Sequence, residues 1–140
     1  MTREEIAVFF TRRRDARARG DAAALAADYA EDCVVESPWA GTVKGRAAIE
    51  QVSRLWYTAF PDVAYHDEEL LIDGNRVAQI DTVAGTDIGG FMGLPPTGKP
   101  FRLPLVYLST LNERQIVHER RIYDFTGMLV QIGVLKAKPV

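Results

Sequence analysis

Cysteine is nearly absent from this chain. Cys33 stands alone among 140 residues, so there is no disulfide framework and no cysteine metal site. It precedes an apolar run and reads as a buried, inert thiol. Histidine is almost as scarce: His66 and His118 have no companion at ligand spacing, which excludes His-x-His and His-Glu-x-x-His arrangements, and no metal is expected. His66, beside Tyr65 and three acids, reads as a surface residue. There is no Gly-x-Ser-x-Gly nucleophile elbow. Gly85-x-x-x-Gly89-Gly90 lies between strands without a following helix, so it is not a dinucleotide fingerprint. No stretch approaches the ~20 apolar residues of a membrane span. The first residues, Met1-Thr2-Arg3-Glu4-Glu5, are acidic where a signal peptide is basic and then apolar, so a cytoplasmic protein is expected. Excess positive charge is missing too. A net charge of −2 argues against a nucleic-acid partner. The one basic cluster, Arg12-Arg13-Arg14 with Arg17 and Arg19, reads as a solvated helix face.

What is present is ordinary globular composition, 47% hydrophobic and 26% charged, and the length suits one domain over residues 1–140. Thr2-x-x-Glu5 is a capping box for a helix carrying Ile6, Phe9, Phe10 and Ala16, stopped at Gly20. Asp21 caps a second, Ala-rich helix through Tyr29. Residues 33–37 read as a strand broken by Pro38, and residues 46–59 as a helix with Ile49, Val52, Leu55 and Trp56 near helical spacing. The remainder reads as β: residues 63–72, an Asp73-Gly74-Asn75 hairpin turn, residues 76–86, then 101–111 and 115–124 joined by Asn112-Glu113-Arg114. Helices first and a meander later predict an α+β fold, a curved mixed or antiparallel sheet wrapped around three N-terminal helices.

Three acids invite chemistry. Asp81 lies mid-strand among apolar neighbours, where a carboxylate must be paired or raise its pKa. Glu36 lies on the first strand beside the Pro38-Trp39 break, and Asp124 lies where the last strand stops. On that strand His118, Arg120, Ile122 and Asp124 share one face, and Glu119, Arg121 and Tyr123 the other. Both faces carry charge, so alternation alone leaves the inner face open. The Gly/Pro-framed loop Gly89–Gly98 presents Phe91, Met92 and Leu94, and suits either a mobile lid over an apolar ligand or a loop tucked onto the core.

Gly85-Thr86-x-x-Gly89-x-Phe91-x-Gly93-x-Pro95-Pro96-Thr97-Gly98-Lys99, followed by a strand pair and Asp124-x-x-Gly127-Met128-Leu129-x-Gln131-Ile132-Gly133, resembles the SnoaL-like polyketide cyclase family. That family belongs to the cone-shaped superfamily named after nuclear transport factor two, and the likeness covers essentially the whole chain. It implies a cone with an internal apolar cavity and a cofactor-free cyclase or isomerase acting on a small apolar polyketide-like substrate. By the same resemblance Asp124 is the general acid/base, with Arg120 and His118 facing the cavity beside it. Trp39, Trp56, Tyr29 and Phe91 would wall the cavity. A homodimer through the outer face of the sheet, with Tyr123 turned outward, is also implied. Two residues depart from type: Asp87 stands where members carry His, and Gln79 stands where the limonene-epoxide-hydrolase-like sister group has Arg. In that sister group's arrangement Asp81, Asp124 and Glu36 would form the polar set, with Asp81 and Asp124 sharing water activation for epoxide opening or pyran formation. A non-catalytic ligand-binding module is the alternative from another class.

Overall fold

The first helix, α1 (Arg3–Ala18), opens on the capping box: the Thr2 hydroxyl accepts from the Glu5 N–H and the Glu5 carboxylate from the Thr2 N–H. The computed structural model describes residues 1–137. The buried stripe of α1 runs Ile6, Phe9, Phe10, Arg13, Ala16 and Arg17, the 3–4 spacing of one helix face. Arg13 and Arg17 therefore point into the protein. This corrects the expectation of a wholly solvated basic face. Helix α2 (Ala22–Ala27) is capped by Asp21, which accepts from the Ala24 N–H.

Strand β1 (Tyr29–Ser37) starts at Tyr29 rather than Cys33, because Tyr29 already pairs with Ile116. It returns as a short hairpin strand, β2 (Gly41–Lys44), which the sequence reading missed. Helix α3 (Arg46–Ala59) follows, and then β3 (Ala64–Asp73), β4 (Arg76–Thr86), β5 (Pro100–Leu111), β6 (Ile116–Ile122) and a last helix, α4 (Phe125–Gln131). The six strands form one curved sheet ordered β2-β1-β6-β5-β4-β3. The β1–β6 pair is parallel; the others are antiparallel. The helices cover one face, as the α+β expectation has it. Two apolar clusters fill the space between the layers. One gathers Ile6, Phe10, Cys33, Val35, Ile49 and Ile116; the other gathers Phe60, Phe91, Phe101, Met128 and Ile132.

The loop between β4 and β5 is tucked onto the core, the second of its two readings. Asp87 is fully buried. Its carboxylate accepts from the Gly90 N–H and from the Thr97 N–H and hydroxyl, each at 3.1 Å. The N–H groups of Ile88 and Gly89 donate to the Ala59 carbonyl at the end of α3. Only glycine fits at 89, since a Cβ there would run into the Thr58 carbonyl. Phe91 is driven inward, its ring 5.2 Å from Trp39 and 5.0 Å from Phe60, and Met92 and Leu94 remain exposed. Asp87→Ala removes three bonds to a buried carboxylate. At about 1 kcal/mol each this costs about 3 kcal/mol, which lowers the thermal midpoint by roughly 6–12 °C. An unchanged melting curve would show that Phe91 and the backbone bonds to Ala59 hold the loop without Asp87.

Candidate active site

Strand alternation sends one row of side chains from each strand toward the helices. On β4 these are Val77, Gln79, Asp81 and Val83; on β5, Leu103, Leu105, Tyr107 and Ser109. On β6 Glu119 and Arg121 point inward, and Tyr123 continues the row past the strand end. Against them α1 lowers Arg13 and Arg17, while α3 lowers Ser53, Trp56 and Tyr57. The cavity left between the layers is small, about 50 Å³, and Asp81, Gln79, Ser109 and Glu119 lie behind its lining residues rather than on its wall. Its wall is largely apolar, as expected, with Trp39, Trp56 and aliphatic residues, and arginines and phenols are set into it.

Two ion-pair networks order these groups. In the first, Arg17 donates to Asp81 Oδ2 at 2.9 Å and to Gln79 Oε1 at 3.0 Å. Its guanidinium lies 4.6 Å from the Tyr107 ring centre and 4.9 Å from that of Tyr65, within cation–π range. Asp81 Oδ1 and Gln79 Nε2 are buried without a hydrogen-bond partner among the described residues. Burial pushes the Asp81 carboxyl above its ordinary range, opposed in part by Arg17. In the second network, Glu119 accepts from Tyr29 Oη and from Arg121 Nε, both at 2.7 Å. Arg13 donates to Tyr29 Oη and to Asp28, and Arg12 closes on Asp28 at 2.7 Å. For Glu119 burial acts upward, but the charges of Arg121 and Arg13 outweigh it and hold the carboxyl below its ordinary range.

Asp81 thus faces inward, paired to a helix arginine. Trp39, Trp56 and Tyr29 line the cavity, and Phe91 is buried behind the two tryptophans. The other site residues lie elsewhere. Because Glu119 and Arg121 take the inner face of β6, His118 and Arg120 are turned to the outer face, where both pair with Glu36 of β1, at 2.9 and 3.7 Å. Glu36 is half exposed and does not line the cavity. Asp124 is exposed and caps α4, accepting from the Gly127 N–H at 2.9 Å. The expectation that Asp124, Arg120 and His118 face the cavity is overturned by this alternation, as is the outward placement of Tyr123. Asp81 and Asp124 do not converge on a shared water position. Arg17, Tyr65, Tyr107, Glu119 and Arg121 were missed as site groups. The signal for Arg17 was available, since residues 6, 10, 13 and 17 fall on one helical face.

A curved sheet with helices over one face and ionisable groups buried between them defines the ketosteroid-isomerase-like class of α+β folds. A protein of that fold from Catenulispora acidiphila, solved with trimethylamine, superposes with a TM-score of 0.76 at 19% identity over 99% of this chain and all of its own. The chain belongs to the SnoaL-like polyketide cyclase family, whose model matches residues 7–132. IdmH of Streptomyces antibioticus, a candidate polyketide cyclase, is 30% identical, with a TM-score of 0.71 over 86% of this chain and 92% of that one. AclR of Streptomyces galilaeus, a candidate hydroxylase, is 25% identical, with a TM-score of 0.83 over 99% of this chain and 87% of its own. No curated protein matches the sequence.

The two buried carboxylates give opposite pH signatures. Glu119 is held below its ordinary 4.5, so as pH falls the unfolded chain takes up the proton first and stability is lost. Asp81 is raised above its ordinary 3.8, so the folded state takes up the proton first and stability is gained as pH falls through the raised value. Denaturant midpoints followed from about pH 6 to about pH 3 are expected to fall less steeply in Glu119→Gln than in the wild type, and more steeply in Asp81→Asn. Identical slopes in all three proteins would refute the assignment.

Proposed function

We propose that the protein is a cofactor-independent enzyme that closes or isomerises a ring in an apolar, polyketide-like substrate by proton transfer inside the cavity. Family membership supports a cyclase-type activity. The observation that carries the chemistry is Asp81, a carboxyl raised by burial, with one oxygen on Arg17 and the other without a hydrogen-bond partner. It stands behind the cavity wall, joined to it through the lining residue Arg17, so substrate reaches it only as that wall gives way. A carboxyl raised in this way is a stronger base than a solvated one and can accept and return a proton. In the reaction it takes a proton from the carbon between two carbonyls, and the resulting enolate carbon attacks a third, more distant carbonyl carbon of the same molecule. A carbon–carbon bond forms, the carbonyl π pair moves onto oxygen, and the proton is returned there. Polyketide carbonyls delocalise the enolate, which keeps the demand on the base modest. Trp39 and Trp56 supply aromatic surface for a planar substrate. A fused-ring substrate exceeds the present volume, so binding requires these two half-buried rings to turn aside.

Asp81 takes the role that resemblance gave to Asp124. Exchange of the α-proton of a hydrophobic aryl β-keto ester in deuterated water, followed by NMR, distinguishes the two. Asp81→Asn is expected to reduce enzyme-dependent exchange at least 100-fold, in line with general-base contributions of roughly 10²–10⁴, and Asp124→Asn to leave it within about threefold. The reverse ranking would return the role to Asp124; full exchange in both variants would rule out acid/base catalysis by either carboxylate. The proposed working form is a cytoplasmic homodimer joined through the outer sheet face, where Ile122 and Leu71 are exposed. Sedimentation of Ile122→Glu beside the wild type tests that assembly.

A further inference from the structure

The cavity wall carries three arginines, Arg13, Arg17 and Arg121, and no acid among the described residues. Two of the three are committed inside the protein. Arg17 gives its two Nη groups to Asp81 and Gln79, and Arg13 gives its own to Asp28, Leu25 and Tyr29. Arg121 is different. Its Nε donates to Glu119 and its Nη2 to Tyr29, while Nη1 meets no acceptor among the described residues. Nη1 is not sealed in the interior either. The Arg121 side chain is 15% exposed, against 3% for Arg13 and 6% for Arg17.

Charge and strand register single out the same place. The network around Arg121 holds three guanidinium groups, those of Arg12, Arg13 and Arg121, against two carboxylates, Asp28 and Glu119. One positive charge is unmatched within it, and Arg121 is the member with an uncommitted Nη1 at the cavity. On the sheet, Glu36 pairs with Arg120, which sets Ser37 of β1 beside Arg121 on the inner face. Ser37 Oγ accepts from the Ala40 N–H, and its own O–H donates to no acceptor among the described residues. Two residues on from Arg121, the Tyr123 hydroxyl is buried beside Ser37 without a hydrogen-bond partner. One corner of the cavity therefore offers a cation and two hydroxyls whose donors are unused. Polar groups left in that state are costly, and an anion among them relieves all three.

We infer that this corner binds a carboxylate of the substrate, anchored by Arg121 and assisted by the hydroxyls of Ser37 and Tyr123. The inference rests on the proposed cyclase reading and deepens it: the substrate is an aryl or polyketide-like acid, not its ester or amide. One unmatched positive charge suits a singly charged group, which favours a carboxylate over a phosphate, and a guanidinium donates to carboxylate oxygen in a strong, charge-assisted bond. The carboxylate stays ionised and unreacted. It fixes where the molecule lies, and the proton is moved elsewhere on it.

Phenylacetate and phenylacetamide, nearly alike in shape and different in charge, test this without turnover. Both tryptophans of the chain line the cavity, so their fluorescence reports its occupancy, and calorimetry gives the affinities. The wild type is expected to bind phenylacetate at least about tenfold more tightly than phenylacetamide, the gain from one hydrogen bond between charged groups. Arg121→Gln is expected to lose the preference, leaving the two probes within about twofold. Removing Arg121 alone strands Glu119, so Arg121→Met combined with Glu119→Leu, which takes out both charges, serves as a second variant with the same expected loss. The wild-type comparison needs neither variant. Equal affinities in the wild type, phenylacetate binding that leaves the tryptophan fluorescence unchanged, or a preference that persists in the variants would overturn the anchor. Should the wild type show no preference while Asp81→Asn still suppresses proton exchange in the neutral keto ester, the anchor fails and the cyclase reading survives.

Discussion

Two arginines of the first helix, buried against carboxylates from distant parts of the chain, hold this structure together and make its site. Arg17 reaches Asp81 on the fourth strand, and Arg13 reaches Asp28 and the Tyr29 hydroxyl. Burying a guanidinium is costly, and the cost is met only where geometry and extra hydrogen bonds are good. Here Arg17 has a carboxylate, an amide oxygen and two aromatic faces. The pairing fixes how α1 lies across the sheet, because few positions of the helix satisfy both arginines at once. It also leaves a cavity whose wall is part aromatic and part charged.

Chemistry and stability are therefore carried by the same side chains. Asp81 is kept within the fold by Arg17, yet burial still raises its pKa, which makes it the candidate base of the proposed reaction. Glu119 is the contrasting case. Surrounded by Arg121, Arg13 and Tyr29, it is held ionised and acts as a strut. Two inward carboxylates thus take different roles from their surroundings alone. On the other side of the sheet, Glu36, His118 and Arg120 form a half-exposed cluster with no part in the cavity.

The architecture was legible because it rests on local chemistry. The Thr2–Glu5 capping box, the Asp73-Gly74 turn and the apolar spacing of α3 each specify their element without help from the rest of the chain. The site was less legible. Asp81 was visible as an acid in an apolar strand, and Trp39, Trp56 and Tyr29 were named as cavity wall through the family resemblance. Alternation on β6 was symmetric in charge, so which face was inner depended on partners elsewhere: Tyr29, Arg13 and Tyr107 draw Glu119 and Arg121 inward. Arg13 and Arg17 were hidden because a run of arginines resembles a solvated face; only their continuation of the Ile6–Phe10 stripe marks them as buried. Asp87, singled out from the sequence only as a departure from pattern, proves to be the residue that ties its loop.

A double-mutant cycle in denaturant on Arg17→Met and Asp81→Leu tests the dependence on the buried pair most directly. Arg17→Met alone strands a buried carboxylate, at about 3–5 kcal/mol. If the pair joins helix layer to sheet as described, the double variant recovers much of that loss and the coupling energy reaches about 2–3 kcal/mol. Losses that simply add, to within about 0.5 kcal/mol, would mean that the two side chains stabilise the fold independently, contradicting the central role given to their contact.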